Sequence, residues 1–244
     1  MDINEWEEWY VEILEDFGFS RDDDEKTADL LDEILEDHGC LTIDDLYDEV
    51  MLKKGYSEKF IVFGAGPSLK KHIATLKSDY DLSKYIIISA DGATTALLEE
   101  DIIPDIIATD LDGKVSDLLT ANAQGSYFVI HGHGNNEENI DLWTTSFNKV
   151  LGTTQSVPVG NLYNFGGFTD GDSAMFLAIE LGAREMVLAG MDFGTVVTKY
   201  SRPDIDGETG PADEIKTKKL IYAERLLNWI LDNEDVEVIN LVDN

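Results

Sequence analysis

From Phe60 onward the chain repeats one pattern: a short run of β-branched and aromatic residues, then a longer stretch with helical spacing. The runs are Phe60–Phe63, Tyr85–Ile88, Ile106–Ala108, Tyr127–Ile130, Met186–Ala189 and Val236–Ile239. They are nearly continuous in apolar residues, whereas a strand with one wet face alternates. Strands that are apolar on both sides belong in a sheet covered on both sides. That means parallel strands joined by crossover helices. The expectation is a doubly wound, mostly parallel, Rossmann-like α/β domain over residues 57–244. Such folds bind ligands beyond the carboxyl ends of their strands, so chemistry is to be sought in the segment after each run.

Residues 1–56 read differently, as an acidic helical appendage. Trp6, Trp9, Tyr10, Ile13, Leu14 and Phe17 recur at spacings of three and four, which makes one apolar stripe. Leu30, Leu31, Ile34 and Leu35 make a second. Leu41, Leu46, Val50 and Leu52 make a third, opened by Thr42 as a cap with Asp45 three residues on. The acidic run Asp22–Glu25 lacks the spacing of a calcium loop and reads as a helix start. No chemistry is visible in this region.

Composition narrows the classes. A chain of 244 residues, 43% hydrophobic, buries one sizeable core. No apolar run approaches the roughly 18 residues of a membrane span, and the start lacks a signal-peptide pattern, so a cytoplasmic protein without a membrane partner is expected. The single cysteine, Cys40, excludes an internal disulfide and any cysteine-based zinc site. The net charge of -32 argues against a nucleic-acid partner, because phosphate backbones need a basic surface. It also sets a condition: any polyphosphate bound here needs its charge masked locally, by a metal ion or a few placed lysines. The acid excess suits work in high salt, although richness in Ile and the preference for Lys over Arg do not.

The segments after the runs carry Gly and Asp in turn. Gly64-Ala65-Gly66-Pro67-Ser68-Leu69 lets the backbone turn tightly and could offer amides to phosphate, yet it is neither a dinucleotide fingerprint nor a P-loop. Asp91 in Ala90-Asp91-Gly92-Ala93 reads equally as a ligand or a helix cap. Asp110 and Asp112 stand two apart in an apparently extended segment and so face the same way. Unpaired, they repel each other, and a divalent cation is their natural partner. His131 and His133 lie in a glycine-rich loop without a third zinc ligand in view, and read as a phosphate-facing loop or a structural turn. Asp170 and Asp172, flanked by Thr169 and Ser173, open a helix, and Asp192 follows the next run.

Together these segments resemble a known family. Ala90-Asp91-Gly92-Ala93, Ile103 to Gly113, and Phe168-Thr169-Asp170 are similar to the three aspartate motifs of thiamin pyrophosphokinases. Phe60 to Trp229 more closely resembles the archaeal 6-hydroxymethyl-7,8-dihydropterin diphosphokinases. That stretch adds the Gly-Ala-Gly-Pro-Ser-Leu loop, the His-Gly loop, Gly190-Met191-Asp192-Phe193, and a late helix bearing Lys216, Lys218 and Lys219. One departure is Asn135-Asn136, where the family pattern leads one to expect an aspartate.

The resemblance implies transfer of diphosphate from ATP to the hydroxymethyl group of 6-hydroxymethyl-7,8-dihydropterin, releasing AMP, in the biosynthesis of folate- or methanopterin-type cofactors. It implies Mg²⁺ on Asp91, Asp110, Asp112 and Asp170, with Asp110, Asp112 and Asp170 catalytic. Gly64, Gly66, Pro67, Ser68, Lys216 and Lys219 would hold ATP. Thr169, Asp172, Ser173 and Asp192 would hold the alcohol. A homodimer is compatible with it. Two other readings stand beside this one: a nucleotide-sugar glycosyltransferase, and a non-enzymatic nucleotide-binding protein whose acidic helices dock a partner.

Overall fold

The apolar runs form one sheet in the computed structural model, which describes residues 1–243. The strands are β1 (Lys59–Phe63), β2 (Ile86–Ala90), β3 (Ile106–Thr109), β4 (Tyr127–Gly132), β5 (Val150–Thr154), β6 (Leu162–Tyr163), β7 (Glu185–Ala189) and β10 (Glu237–Asn240). A separate antiparallel pair, β8 (Val196–Thr198) and β9 (Thr209–Pro211), stands apart from that sheet. The main sheet runs β10-β7-β1-β2-β3-β4-β5-β6, and each neighbouring pair is parallel.

Helices cover both faces: α1 (Ile3–Phe17), α2 (Arg21–His38), α3 (Ile43–Lys54), α4 (Leu69–Asp79), α5 (Asp91–Leu98), α6 (Val115–Ala123), α7 (Glu137–Trp143), α8 (Asp170–Glu180) and α9 (Glu214–Asn233). Side chains alternate along each strand, which assigns the faces. Phe60 and Val62 of β1 join Ile86 and Ile88 of β2 beneath α8, α9, α1 and α3. Ile61 and Phe63 point the other way, onto α4 and α5. Phe128, Ile130 and Val150 meet α2, α6 and α7. Strand order reverses between β1 and β7: the chain leaves β1 toward β2 and leaves β7 toward β10. Doubly wound sheets open their ligand crevice at such a reversal. No helix among the described residues is long and apolar enough to cross a membrane.

The first three helices do not stand apart as an appendage. Trp6, Tyr10 and Ile13 of α1 are buried in the same cluster as β1, β2 and α8. Leu31 and Leu35 of α2 are buried against β4 and β5. The reason lies in the sheet: without α1–α3 its apolar residues would be left wet over half its width. Local signals at the helix ends match the reading. Thr42 and Asp45 form the capping box of α3, and Ser20 caps α2 ahead of its acidic first turn. Leu52 leaves the third stripe and is 74% exposed.

Asp105 ties α3 to the sheet from below. It is buried, accepts from the Ile87 amide at 2.9 Å, and pairs with Lys53 at 3.1 Å and Lys54 at 2.7 Å. A buried carboxylate survives only with such partners.

If α1 is part of the core, Trp6→Ala should lower stability by about 3–5 kcal/mol, the usual cost of emptying a large buried site. Urea denaturation followed by near- and far-ultraviolet dichroism should still show one transition. Loss of helical signal at low urea with an unchanged main transition would mean that the N-terminal helices fold separately.

Candidate functional site

The carboxyl ends of β2 and β3 bring three carboxylates together. Asp91 opens α5 directly after β2, and Asp110 and Asp112 follow β3, whose register pairs Ala90 with Ala108. One oxygen from each of Asp91, Asp110 and Asp112 lies within 4.8 Å of the others. Asp110 and Asp112 do face one way, but not through strand alternation. Leu111 between them takes a left-handed φ of 63° and buries its side chain, which turns both neighbours outward. Thr109 Oγ1 accepts from the Leu111 amide at 2.8 Å and holds that turn.

Each carboxylate is held differently. Asp91 is buried. Its Oδ2 accepts from Thr109 Oγ1 and from the Gly113 amide, and its Oδ1 has no partner among the described residues. Gly113 must be glycine for this approach, because a Cβ there would lie 1.8 Å from Asp91 Oδ1. Burial, then the charges of Asp110 and Asp112, push the Asp91 carboxyl up to about 7. Burial and the Asp110 charge push Asp112 up to about 6. For Asp110 burial also works against charge, but the ring of His133, 3.1 Å from its Oδ2, and the amide of Asp112 outweigh it and hold the carboxyl below the usual range.

Asp170 sits nearby, in the first turn of α8. Its oxygens are outside the 4.8 Å set, yet it feels the other three carboxylates. Burial first, then those charges, raise its carboxyl well above the ordinary range. The donor set is all oxygen, and one buried oxygen lacks a partner. That chemistry fits a hard divalent cation.

The cluster lies at the middle of a cleft of about 650 Å³, the size usual for small-molecule sites. Lys216 and Lys219 of α9 line it. Lys218 between them turns away, donating to the Asp16 carbonyl and pairing with its carboxylate at 3.3 Å. Burial lowers the pKa of Lys216, while Asp170 and Asp112 pull it back up. The ammonium of Lys219 sits 5.3 Å from the Phe168 ring centre and 5.8 Å from that of Phe19.

The glycine loop departs from expectation. Gly64, Ala65 and Gly66 line the cleft, but the amides of Gly64 and Gly66 already donate to Ala189 and Gly190 carbonyls at 2.8 Å. The Ser68 amide and hydroxyl donate to Asp192 Oδ2 at 3.1 and 2.6 Å. So Pro67 and Ser68 close the loop against Asp192 and are not among the described lining residues. Gly66 allows that closure, since a Cβ there would lie 2.2 Å from Asp192 Oδ2. Asp192 keeps a place on the cleft while serving as the clamp.

Asp172 is not turned toward a ligand either. It is fully buried, its Oδ1 accepts from the Phe168 and Thr169 amides, and it caps α8. Thr169 and Ser173 beside it do line the cleft. The His-Gly loop has a supporting place. His133 bridges Asp110 and Asn135, while buried Asn136 donates to the carbonyls of Asp110 and His131. An asparagine suits that work, because it must donate twice and accept once. His131 is half-buried on the cleft with its Nε2 shielded, and loss of solvent drives its pKa down to about 3, which favours the neutral ring.

The family model for the 6-hydroxymethylpterin diphosphokinase MptE-like proteins matches residues 30–198, which hold the carboxylate cluster, the glycine loop, the His-Gly loop and Asp192. Over 239 residues the chain is 54% identical to the 6-hydroxymethyl-7,8-dihydropterin pyrophosphokinase of Methanothermobacter thermautotrophicus, covering 98% of this chain and 99% of that one. The chain belongs to this family.

Proteins of the same name from Methanocaldococcus jannaschii and Pyrococcus furiosus are each 44% identical to it, over 98% and 96% of this chain and 100% and 97% of theirs. The motif resemblance is thus borne out along nearly the whole length, the N-terminal helices included. A Maf glycosyltransferase structure from Magnetospirillum magneticum aligns with a TM-score of 0.49 at 17% identity, over 80% of this chain and 38% of that one, and carries no argument at that level.

Some lining residues had no signal in the sequence. Gly18, Phe19 and Ser20, between α1 and α2, form a wall of the cleft with Asp23 and Asp24 of the first turn of α2. Tyr200 to Asp204, after β8, form another. Only the overpacking of aromatic residues around Phe17 and Phe19 could have drawn attention to the first.

Raised carboxyls stabilise a fold only while protonated. For Asp91 and Asp112 that contribution is complete below the ordinary carboxylate range and lost as pH climbs through about 6 and 7. Asp112→Asn should therefore match the metal-free wild type near pH 4 and exceed it in melting temperature near pH 8. Mg²⁺ should raise the wild-type melting temperature at pH 8 and the variant's less. Equal melting curves at both pH values, with and without the ion, would show that the cluster is neither strained nor a cation site.

Proposed function

We propose that this protein transfers diphosphate from ATP to the hydroxymethyl group of 6-hydroxymethyl-7,8-dihydropterin and releases AMP; the names of its relatives supply the pterin and the pyrophosphokinase activity. The observation that carries the reading is the convergence of Asp91, Asp110 and Asp112 at one edge of the sheet, with Lys216 and Lys219 lining the same cleft. Phosphoryl-group transfer asks for positioning and neutralisation of charge more than for covalent chemistry, and these groups supply both.

Asp91, Asp110 and Asp112 are the residues that would hold Mg²⁺, with Asp170 beside them. When bound, the ion neutralises phosphate charge and polarises the group being transferred. The protein's own part is separable. Thr109, Gly113 and His133 fix the carboxylate oxygens in place. Lys216 and Lys219 place two ammonium groups against phosphate oxygens that the acidic surface would otherwise repel. The neutral ring of His131 adds a polar contact without adding charge. Asp170 lines the cleft beside them, its carboxyl raised by burial and by the three neighbouring charges. The clamp of Ser68 on Asp192 keeps the β1 and β7 loops closed under the ligand. The cytoplasm is the compartment in which ATP and a pterin alcohol would meet.

Incubation with ATP, Mg²⁺ and the pterin alcohol, followed by chromatography for AMP, tests this directly. AMP formed in proportion to pterin diphosphate is the expected result. ADP in its place, or hydrolysis of ATP independent of the pterin, would overturn it. Lys216→Ala should weaken nucleotide binding by about 1.5–3 kcal/mol, the worth of one charge-assisted contact, and leave the fold intact. Unchanged affinity by calorimetry would return Lys216 to a structural role.

A further inference from the structure

The far end of the cleft holds a polar group with nothing to bond to. Gln155 follows β5 directly and is 6% exposed. It lines the cleft, yet its Oε1 is buried without a hydrogen-bond partner among the described residues. Buried amide oxygens are nearly always bonded, so an orphan facing a cleft marks the place of a ligand atom. Its main chain is held in place: the backbone carbonyl accepts from Trp6 Nε1 at 2.7 Å and from Asn164 Nδ2 at 2.9 Å.

An aromatic wall lines the same cleft. The Phe19 and Phe168 rings have centroids 6.5 Å apart, and Phe19 is 36% exposed. The ammonium of Lys219 lies over both. Flat apolar faces, a buried amide and a nearby cation together suit a flat heteroaromatic ring with a polar edge.

Position decides which ring. Gln155 stands two strands from β3, in the order β3-β4-β5, so it lies on the order of 10 Å from the Asp110 carboxylate at ordinary strand spacing. Two fused six-membered rings bridge such a gap. On the other side of the carboxylates the cleft runs under β1 and β7, where strand order reverses and where doubly wound sheets take nucleotides. Arg202 lines the cleft as well. The metal-binding carboxylates thus divide the cleft into two arms, and the arm at β5 is left for the acceptor.

We propose that Gln155, with the wall of Phe19 and Phe168, is the subsite that reads the pterin ring. The amide oxygen accepts from the 2-amino group of the pyrimidine edge, and the hydroxymethyl group at the opposite end meets the carboxylates. This inference rests on the function proposed above.

Gln155→Leu keeps the side chain's size and removes both polar atoms. The KM for 6-hydroxymethyl-7,8-dihydropterin should rise roughly 10- to 100-fold, with kcat and the KM for ATP within about two-fold of wild type. Gln155→Glu keeps the acceptor oxygen and should recover part of the loss. A second arm needs no turnover. Calorimetry of the pterin alcohol against its analogue lacking the 2-amino group should show wild type favouring the former about ten-fold or more, and Gln155→Leu showing little preference. A role in folding alone would not erase that preference. An unchanged acceptor KM, a rise in the KM for ATP in its place, or an analogue preference that survives in the variant would each overturn the subsite. A wild type that binds the pterin but releases no AMP would sink the function instead, and the calorimetric ratio would still decide the subsite.

Discussion

Three carboxylates held within reach of one ion are the constraint on which the rest of this site depends. In a chain of net charge -32 there is no general shortage of repulsion, and this cluster concentrates it. Two unit charges at the 4.8 Å limit of the set cost about 3 kcal/mol at an effective dielectric constant of 20. The protein does not relieve that cost with a lysine pair inside the cluster. It holds the oxygens with hydrogen-bond donors, Thr109 and the Gly113 amide on Asp91 and the His133 ring on Asp110, and leaves Asp91 Oδ1 without a partner among the described residues. Such donors fix the geometry of the cluster. An ammonium in the same place would have cancelled the field that makes the cluster attractive to a cation.

The scaffolding reaches further than the α/β core. Asp24 of α2 is buried, accepts from the Tyr10 hydroxyl at 2.6 Å, and accepts from the Gly134 amide at 2.7 Å. Gly134 is next to His133, which holds Asp110. A continuous line therefore runs from α1 through α2 and the loop after β4 to the carboxylate cluster. The Tyr10 phenol is pushed far above its usual range by burial and by Asp24, so it stays a donor at any working pH. Two neutral or fixed-charge contacts thus join the N-terminal helices to the chemistry, and the same helices supply the wall bearing Phe19. This is why the cleft exists only with α1 and α2 in place.

The sequence disclosed what depends on local pattern. Apolar runs showed the strands, since a strand buried on both faces cannot be disguised. The spacing of Asp110 and Asp112 showed that they act together, although the turn at Leu111 that makes them do so is a tertiary event forced by burying that leucine. Thr42 and Asp45 were legible because a capping box is local. What failed was the partnership of groups far apart in the chain. The amides of the glycine loop looked free for phosphate and are bonded to the segment after β7, more than a hundred residues on. Asp172 looked like a ligand because it stands in the same motif as Asp170, and it is a cap because its oxygen finds two backbone amides first. β5, as Val-Leu-Gly-Thr-Thr, lacks a long apolar run, so Gln155 at its end drew no notice.

The lysines close the argument about charge. An acidic surface does repel a polyphosphate at long range, but screening removes most of that repulsion beyond about 10 Å at moderate salt. What remains is decided within the cleft. There burial disfavours the charged form of Lys216, and the carboxylates of Asp170 and Asp112 only partly restore it. An ammonium so placed is underpaid in solvation and overexposed to its own kind, since Lys219 also depresses it. A phosphate oxygen supplies the missing counter-charge, while a cation on the carboxylates withdraws their support from the lysine. On the reading proposed above, a polyphosphate held beside an occupied carboxylate cluster would give Lys216 the counter-charge it lacks, so an acidic chain would need no basic surface to hold it.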